Sequence, residues 1–65
     1  MTLNHREYTQ WREGLTVKTV IEENHFTWPK LVVRQNGKVV WPEEYEQTTL
    51  QATDALEIIH LLGGG

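Results

Sequence analysis

The pair Asn36-Gly37 constrains the fold of this chain more than any other feature of its sequence. Both residues tolerate positive φ, and such a pair forms the two-residue turn that suits the twist of two antiparallel strands. The turn is flanked by Leu31-Val32-Val33-Arg34 and by Lys38-Val39-Val40-Trp41, which are rich in β-branched residues. These residues predict a β-hairpin in the middle of the chain.

A helix is predicted before this hairpin. Thr16 precedes Val17-Lys18-Thr19-Val20-Ile21-Glu22-Glu23-Asn24, in which the apolar residues recur at helical spacing. The Thr16 hydroxyl can accept a hydrogen bond from a free amide of the first turn. We expect the helix to end near Asn24, because Pro29 disfavours helical geometry at the residue before it.

Three further segments complete the predicted order of elements. An N-terminal hairpin pairs Thr2-Leu3-Asn4 with Tyr8-Thr9-Gln10-Trp11 across the polar triplet His5-Arg6-Glu7. Pro42 opens a single helical turn, and a last strand runs from about Leu56 to Leu61. Because one amphipathic helix can cover one face of a sheet, the predicted class is α+β, with one main helix on a mixed four- to five-stranded sheet.

The composition of the chain excludes several classes of function. The chain has 65 residues, so it forms one domain, and it lacks cysteine, so it has neither disulfides nor a cysteine nucleophile. Its formal net charge is -3, without a cluster of Lys or Arg, which argues against nucleic-acid binding. No apolar stretch reaches the ~20 residues of a membrane span, so we expect no membrane partner and a cytoplasmic location.

The chain ends on Gly63-Gly64-Gly65, directly after an apolar strand. Because glycine has no Cβ, this end forms a thin arm whose α-carboxylate can pass through a channel too narrow for side chains. We therefore divide the chain into a folded domain over residues 1–60 and a flexible glycine tail over residues 61–65. The alternative is a frayed end without a function.

The last strand also predicts a surface for a partner. Leu56 and Ile58 lie on one face and alternate with Glu57, while further apolar residues toward the tail add apolar surface on the other face. An exposed apolar patch beside a reactive tail suggests a contact with a partner protein. The alternative is packing on the edge of the sheet. The residues predicted to form this patch are Ile59, Leu61 and Leu62.

Other candidate sites are less favoured. His5 and His60 can approach each other if the first and last strands pair, but two histidines without a cysteine make a weak site, so no metal is expected. Asp54 and Glu57 lie three residues apart, which in a strand directs them to opposite faces and argues against a pair of catalytic carboxylates.

The aromatic residues and the acidic run receive structural interpretations. In a core this small, the tryptophans Trp11, Trp28 and Trp41 are expected to serve mainly in packing. The run Glu43-Glu44-Tyr45-Glu46 is expected to form a solvated face, and the alternative is a docking patch for a basic partner.

Three segments in combination resemble the ThiS family, the sulfur carriers of thiamine biosynthesis. They are the Asn36-Gly37 hairpin with Val39-Val40-Trp41-Pro42, then Asp54-Ala55-Leu56-Glu57-Ile58-Ile59-His60, and the closing Leu62-Gly63-Gly64-Gly65. The chain departs from the family at Thr53, where glycine is frequent. The resemblance implies a β-grasp (ubiquitin-like) roll.

The resemblance also implies a function and partners. In that family a ubiquitin-activating-enzyme-like adenylyltransferase (ThiF-type) uses ATP to adenylate the C-terminal carboxylate, here that of Gly65. Sulfur from a donor such as a cysteine desulfurase then forms a thiocarboxylate, which donates it to thiazole synthase (ThiG-type). The chain itself is expected to bind no cofactor and to be a cosubstrate rather than an enzyme. The implied threading residues are Gly63 and Gly64, and the implied partner-binding residues are Ile59, Leu61 and Leu62.

Two alternatives remain open at this point. The small subunit of molybdopterin synthase shares the fold and the tail but is usually longer. A ubiquitin-like protein modifier would join Gly65 to a lysine, and Lys18, Lys30 and Lys38 could serve in building chains.

Overall fold

The structure is a computed structural model that describes residues 1–26 and 31–61. These residues form five strands, one α-helix and one 3₁₀ turn, in the order that the sequence predicts. The elements are β1 (Thr2–Leu3), β2 (Arg6–Glu7), α1 (Val17–Glu23), β3 (Leu31–Gln35), β4 (Lys38–Val40), the 3₁₀ turn (Pro42–Glu44) and β5 (Ala55–His60).

The strands form one mixed sheet in the order β2-β1-β5-β3-β4. β5 lies in the centre, parallel to β1 and antiparallel to β3. The register pairs Leu3 with Leu56 and Val33 with Ile58, so apolar side chains of three strands line up on one face. This sheet and its single helix confirm the predicted α+β class.

Both hairpins close through two-residue turns with positive φ. Asn36-Gly37 has φ values of 52° and 85°, which confirms the predicted central hairpin. Asn4-His5 takes 51° and 69°, so the N-terminal chain reverses there. The second strand is therefore β2, and the prediction of Tyr8–Trp11 for it is wrong. The physical reason is that asparagine tolerates the left-handed region well enough to turn the chain without a glycine.

A local motif ends α1. His25 has a φ of 58°, and its amide donates to the carbonyl of Glu22 at 3.3 Å. The amide of Phe26 donates to the carbonyl of Ile21 at 3.1 Å. This pair of bonds is a Schellman motif, which satisfies carbonyls of the last turn. It accounts for the end of the helix, and the predicted contribution of Pro29 lies outside the described residues.

The start of α1 and the core agree with the sequence pattern. The Thr16 hydroxyl accepts a hydrogen bond from the amide of Thr19 at 3.3 Å, as predicted for an N-cap. None of the described helices is long and apolar enough to cross a membrane. The core between α1 and the sheet consists of Met1, Tyr8, Leu15, Val17, Val20, Ile21, Val33, Val40, Tyr45, Leu50, Leu56 and Ile58.

Candidate functional site

β5 carries the chain toward the predicted tail. Its last register pair joins His60 to Leu31 of β3, so the chain leaves the sheet from the central strand. Leu61 follows and is 53% exposed. The residues predicted to be activated and threaded, Gly63, Gly64 and Gly65, and the predicted contact residue Leu62 lie outside the described residues, so their roles stay predictions.

A buried carboxylate fixes the start of β5. Asp54 is only 7% exposed. Its oxygens accept hydrogen bonds from Gln35 Nε2 at 2.7 Å, Asn36 Nδ2 at 2.9 Å and the Gln51 backbone amide at 2.8 Å. Desolvation by burial raises the pKa of Asp54, but these hydrogen bonds outweigh it, so the pKa lies below its ordinary value. Asp54 is therefore a charged structural residue at neutral pH.

Two asparagines, Asn36 and Asn4, make hydrogen bonds to the backbone of β5 in addition to those of the neighbouring strands. Asn36 Oδ1 accepts from the backbone amide of Ala55 at 2.9 Å, and the backbone amide of Asn36 donates to the Ala55 carbonyl at 2.8 Å. Asn4 accepts from the amide of Ile58 at 2.8 Å and donates through Nδ2 to the Ile58 carbonyl at 3.2 Å. Together these contacts hold β5 between Ala55 and Ile58.

The far end of β5 lies in an apolar surface on the face of the sheet away from α1. Ile59 is 42% exposed and Leu61 is 53% exposed, in agreement with the predicted alternation. Ile59 pairs with the half-buried Val32 of β3. Val39 and Trp41, which are 46% and 59% exposed, extend this surface across β4. We call these five residues the apolar strip.

Val39 and Trp41 are not among the predicted contact residues, although the sequence carries a signal for them. Val40 is buried, so in an extended chain its two neighbours point away from the core. The expectation that tryptophans pack in the core is wrong for Trp41, because this residue directly follows β4 and its side chain is exposed on the outward side of the sheet. It holds for Trp11, which packs against the core and donates its indole N–H to the Leu50 carbonyl at 3.0 Å. Trp28 lies outside the described residues.

Part of the apolar strip lines a groove of about 540 Å³. Trp41 and Leu61 border it, and Pro42 and Tyr45 contribute to its wall. The carboxylate of Glu44 accepts a hydrogen bond from the Trp41 amide at 3.0 Å, which fixes the point where the chain leaves β4. A concave apolar surface of this kind can accept apolar side chains of a partner protein.

A cluster of polar side chains lies beside the apolar strip. The Glu57 carboxylate is 3.2 Å from His5 Nε2 and 3.3 Å from a guanidinium nitrogen of Arg34. The first and last strands do pair, but the side chain of His5 lies against Glu57, while the ring of His60 lies 5.4 Å from that of Phe26. The two histidines are therefore not brought together. Within residues 1–26 and 31–61, no three metal-ligating side chains are grouped for an ion.

The acidic run is exposed, as expected for a solvated face. Glu43, Glu44 and Glu46 are exposed, and Lys18 Nζ lies 4.0 Å from the Glu46 carboxylate. Tyr45 within the run is an exception, because it packs in the core and burial raises the pKa of its hydroxyl.

A mixed sheet with this strand order, its last described strand in the centre and one helix across one face, defines the β-grasp class of ubiquitin-like proteins. A solved member of the class that this chain resembles is the thiamine biosynthesis protein (ThiS) from Geobacter metallireducens. The two structures have a TM-score of 0.80 and 27% sequence identity, over 98% of this chain and 96% of that chain. A sequence profile of the ThiS family matches residues 1–65, and the chain belongs to the ThiS family. No curated protein matches it.

Proposed function

We propose that this chain is a sulfur carrier protein of thiamine biosynthesis, and that it serves partner enzymes as a cosubstrate without being a catalyst. The main support is the ThiS family match, which extends through Gly63-Gly64-Gly65. The similar structure from Geobacter metallireducens is itself a thiamine biosynthesis protein. We expect the carrier to work in the cytoplasm.

The proposed chemistry takes place at the Gly65 carboxylate, which is a poor electrophile until it carries a good leaving group. A carboxylate oxygen attacks the α-phosphorus of ATP on a ThiF-type adenylyltransferase, and pyrophosphate leaves. A persulfide sulfur, supplied by a donor such as a cysteine desulfurase, attacks the acyl carbon and expels AMP. A thiol then cleaves the sulfur–sulfur bond of the acyl disulfide and leaves a thiocarboxylate, the nucleophile that a ThiG-type thiazole synthase receives.

The chain's own contribution is reach and a surface for recognition. Gly63 and Gly64 pass through a narrow channel of the activating enzyme because they lack side chains. The apolar strip, with Leu62, docks on the same enzyme, since it borders the point where the chain leaves β5. The hydrogen bonds of Asn36 to Ala55 and of Asn4 to Ile58 keep that strand in place while the partner binds the tail.

Intact mass spectrometry tests this proposal. After incubation with ATP, a ThiF-type adenylyltransferase, a cysteine desulfurase and cysteine, the chain should gain the mass difference between sulfur and oxygen at Gly65. Gly64→Val should abolish the gain without loss of fold by circular dichroism. Thr53→Val places the same side chain at an exposed position before β5 and should react normally.

Two outcomes would contradict the proposal. An unmodified wild-type mass under these conditions would leave the chain as a plain interaction module. A product carrying a second polypeptide on Gly65 would instead identify a protein modifier.

A further inference from the structure

The central turn contains Asn36-Gly37, and asparagine loses its side-chain amide most readily when glycine follows it. The backbone nitrogen of a following glycine can attack the asparagine Cγ because no Cβ obstructs it. Ammonia leaves and a succinimide forms, and water then opens the ring to give aspartate or isoaspartate. Asn36 and Gly37 are both exposed, so water reaches this turn.

The folded chain fixes the reacting side chain by hydrogen bonds at both of its polar atoms. Asn36 Nδ2 donates to Asp54 at 2.9 Å, and Oδ1 accepts from the amide of Ala55 at 2.9 Å. Asp54 is in turn fixed by Gln35 and by the amide of Gln51. Loss of Nδ2 as ammonia breaks its bond to Asp54, and ring closure at Cγ displaces Oδ1 from the Ala55 amide, so both bonds oppose the reaction. Only molecules in which the hydrogen bonds of Asn36 to Asp54 and Ala55 have opened can therefore react.

We propose that Asn36 is a deamidation site that folding keeps closed and unfolding opens. This modification is independent of the proposed sulfur chemistry, since it requires only water and the chain itself. Asn36 is the asparagine at risk because Asn4 and Asn24 are each followed by histidine, whose side chain hinders the attack.

The product of deamidation cannot restore the hydrogen bond between position 36 and Asp54. A carboxylate at position 36 faces the carboxylate of Asp54 at the place where an amide donated to it. Like charges repel, and one Asp54 oxygen loses its donor. Isoaspartate also inserts a backbone carbon into a turn that fixes the register of β3 and β4. Deamidation therefore makes the opening of these hydrogen bonds difficult to reverse, and the modified fraction increases with the time that they have spent open.

Peptide mapping of the full chain tests the site directly. Wild-type protein is incubated at mildly alkaline pH in buffer and, in parallel, in concentrated urea, and the products at Asn36 are resolved by mass spectrometry. In urea Asn36 should convert first, with Asn4 and Asn24 as slower internal controls. In buffer its conversion should be at least about ten-fold slower, because only the open fraction reacts. Equal rates in buffer and urea would overturn the proposal.

Variants test the effect of the product. Asn36→Gly keeps the positive φ and removes the amide without adding charge, so Asn36→Asp should unfold at lower urea than Asn36→Gly. Combining Asn36→Asp with Asp54→Asn again places one carboxylate opposite one amide, and should recover part of the loss. An Asn36→Asp chain as stable as wild type, or a double variant less stable than Asn36→Asp alone, would contradict the role given to Asp54.

Discussion

The two ends of β5 are held in opposite ways. At its start, the buried carboxylate of Asp54 accepts hydrogen bonds of 2.7 to 2.9 Å from Gln35, Asn36 and Gln51, and Asn36 in turn accepts one of 2.9 Å from Ala55. At its end, Ile59 and Leu61 lie in a half-exposed apolar surface. The difference separates two tasks: directional polar bonds fix where the strand lies, and non-directional apolar surface remains available to a partner.

Asp54→Ala should separate the two ends most strongly. It leaves donors on Gln35, Asn36 and Gln51 without their acceptor, and we expect it to lower the free energy of unfolding by about 2–4 kcal/mol. Urea denaturation measures this loss. Thr53→Ala, at the exposed neighbour, should change stability by less than about 0.5 kcal/mol. Similar losses in the two variants would mean that the network does not hold β5.

Leu61→Lys and Ile59→Lys should act on the other end. We expect each to weaken binding to the activating enzyme about ten-fold or more, because a charge replaces a buried apolar contact, while the free energy of unfolding changes by less than about 1 kcal/mol. Calorimetric titration measures the affinity. Ala55→Lys is the matched control, since Ala55 is exposed on the same face at the start of β5.

Trp41→Lys extends this test to β4. A loss of affinity like that of Leu61→Lys would place the whole apolar strip in the contact. Wild-type affinity in all three strip variants would remove the strip from the docking surface.

Asn4→Gly should weaken the middle of β5 by a smaller amount. Glycine keeps the positive φ of the turn but cannot bond Ile58, so we expect a loss of about 1 kcal/mol in the free energy of unfolding. His5→Gly also keeps the positive φ and removes only an exposed contact with Glu57, so it serves as the control with a loss of less than about 0.5 kcal/mol expected. If both variants lose stability equally, the turn matters more than the side-chain amide.

Acid should weaken the start of β5 gradually. The pKa of Asp54 is lowered in the folded chain, whereas an aspartate in an unfolded chain titrates near about 3.9. The stability that Asp54 contributes is therefore complete above that pH and is lost as the pH falls through the lower, folded value. Urea denaturation at several pH values should show this decline in the wild type and a flatter profile in Asp54→Ala. Parallel profiles would assign the acid sensitivity to other carboxylates.

Local chemistry explains which parts of the fold were predictable. The Asn36-Gly37 turn, the Thr16 cap and the alternation of Leu56 and Ile58 with Glu57 depend on neighbouring residues, and all three appear as predicted. The N-terminal turn was misplaced because Asn4-His5 contains no glycine to mark it.

The predictable part of the candidate site has the same limit. Ile59 and Leu61 follow from alternation along β5. The outward direction of Val39 and Trp41 follows in the same way from alternation around Val40, but their place on the same surface as Ile59 depends on the order of the strands in the sheet. The roles of Asp54 and Asn4 depend on contacts across 19 and 54 positions of the chain, which no local pattern contains. The proposed function of the tail comes from family resemblance, since no described residue carries that chemistry.

The central position of β5 also determines when the chain can fold. During synthesis β1, β3 and β4 emerge while the strand that joins them is still missing, so the two halves of the sheet have no common neighbour. Leu56 and Ile58, which complete the core from the centre, are synthesised after all of its other buried residues. The sheet can therefore close only after β5 has been synthesised, and a chain interrupted before β5 remains open to proteases.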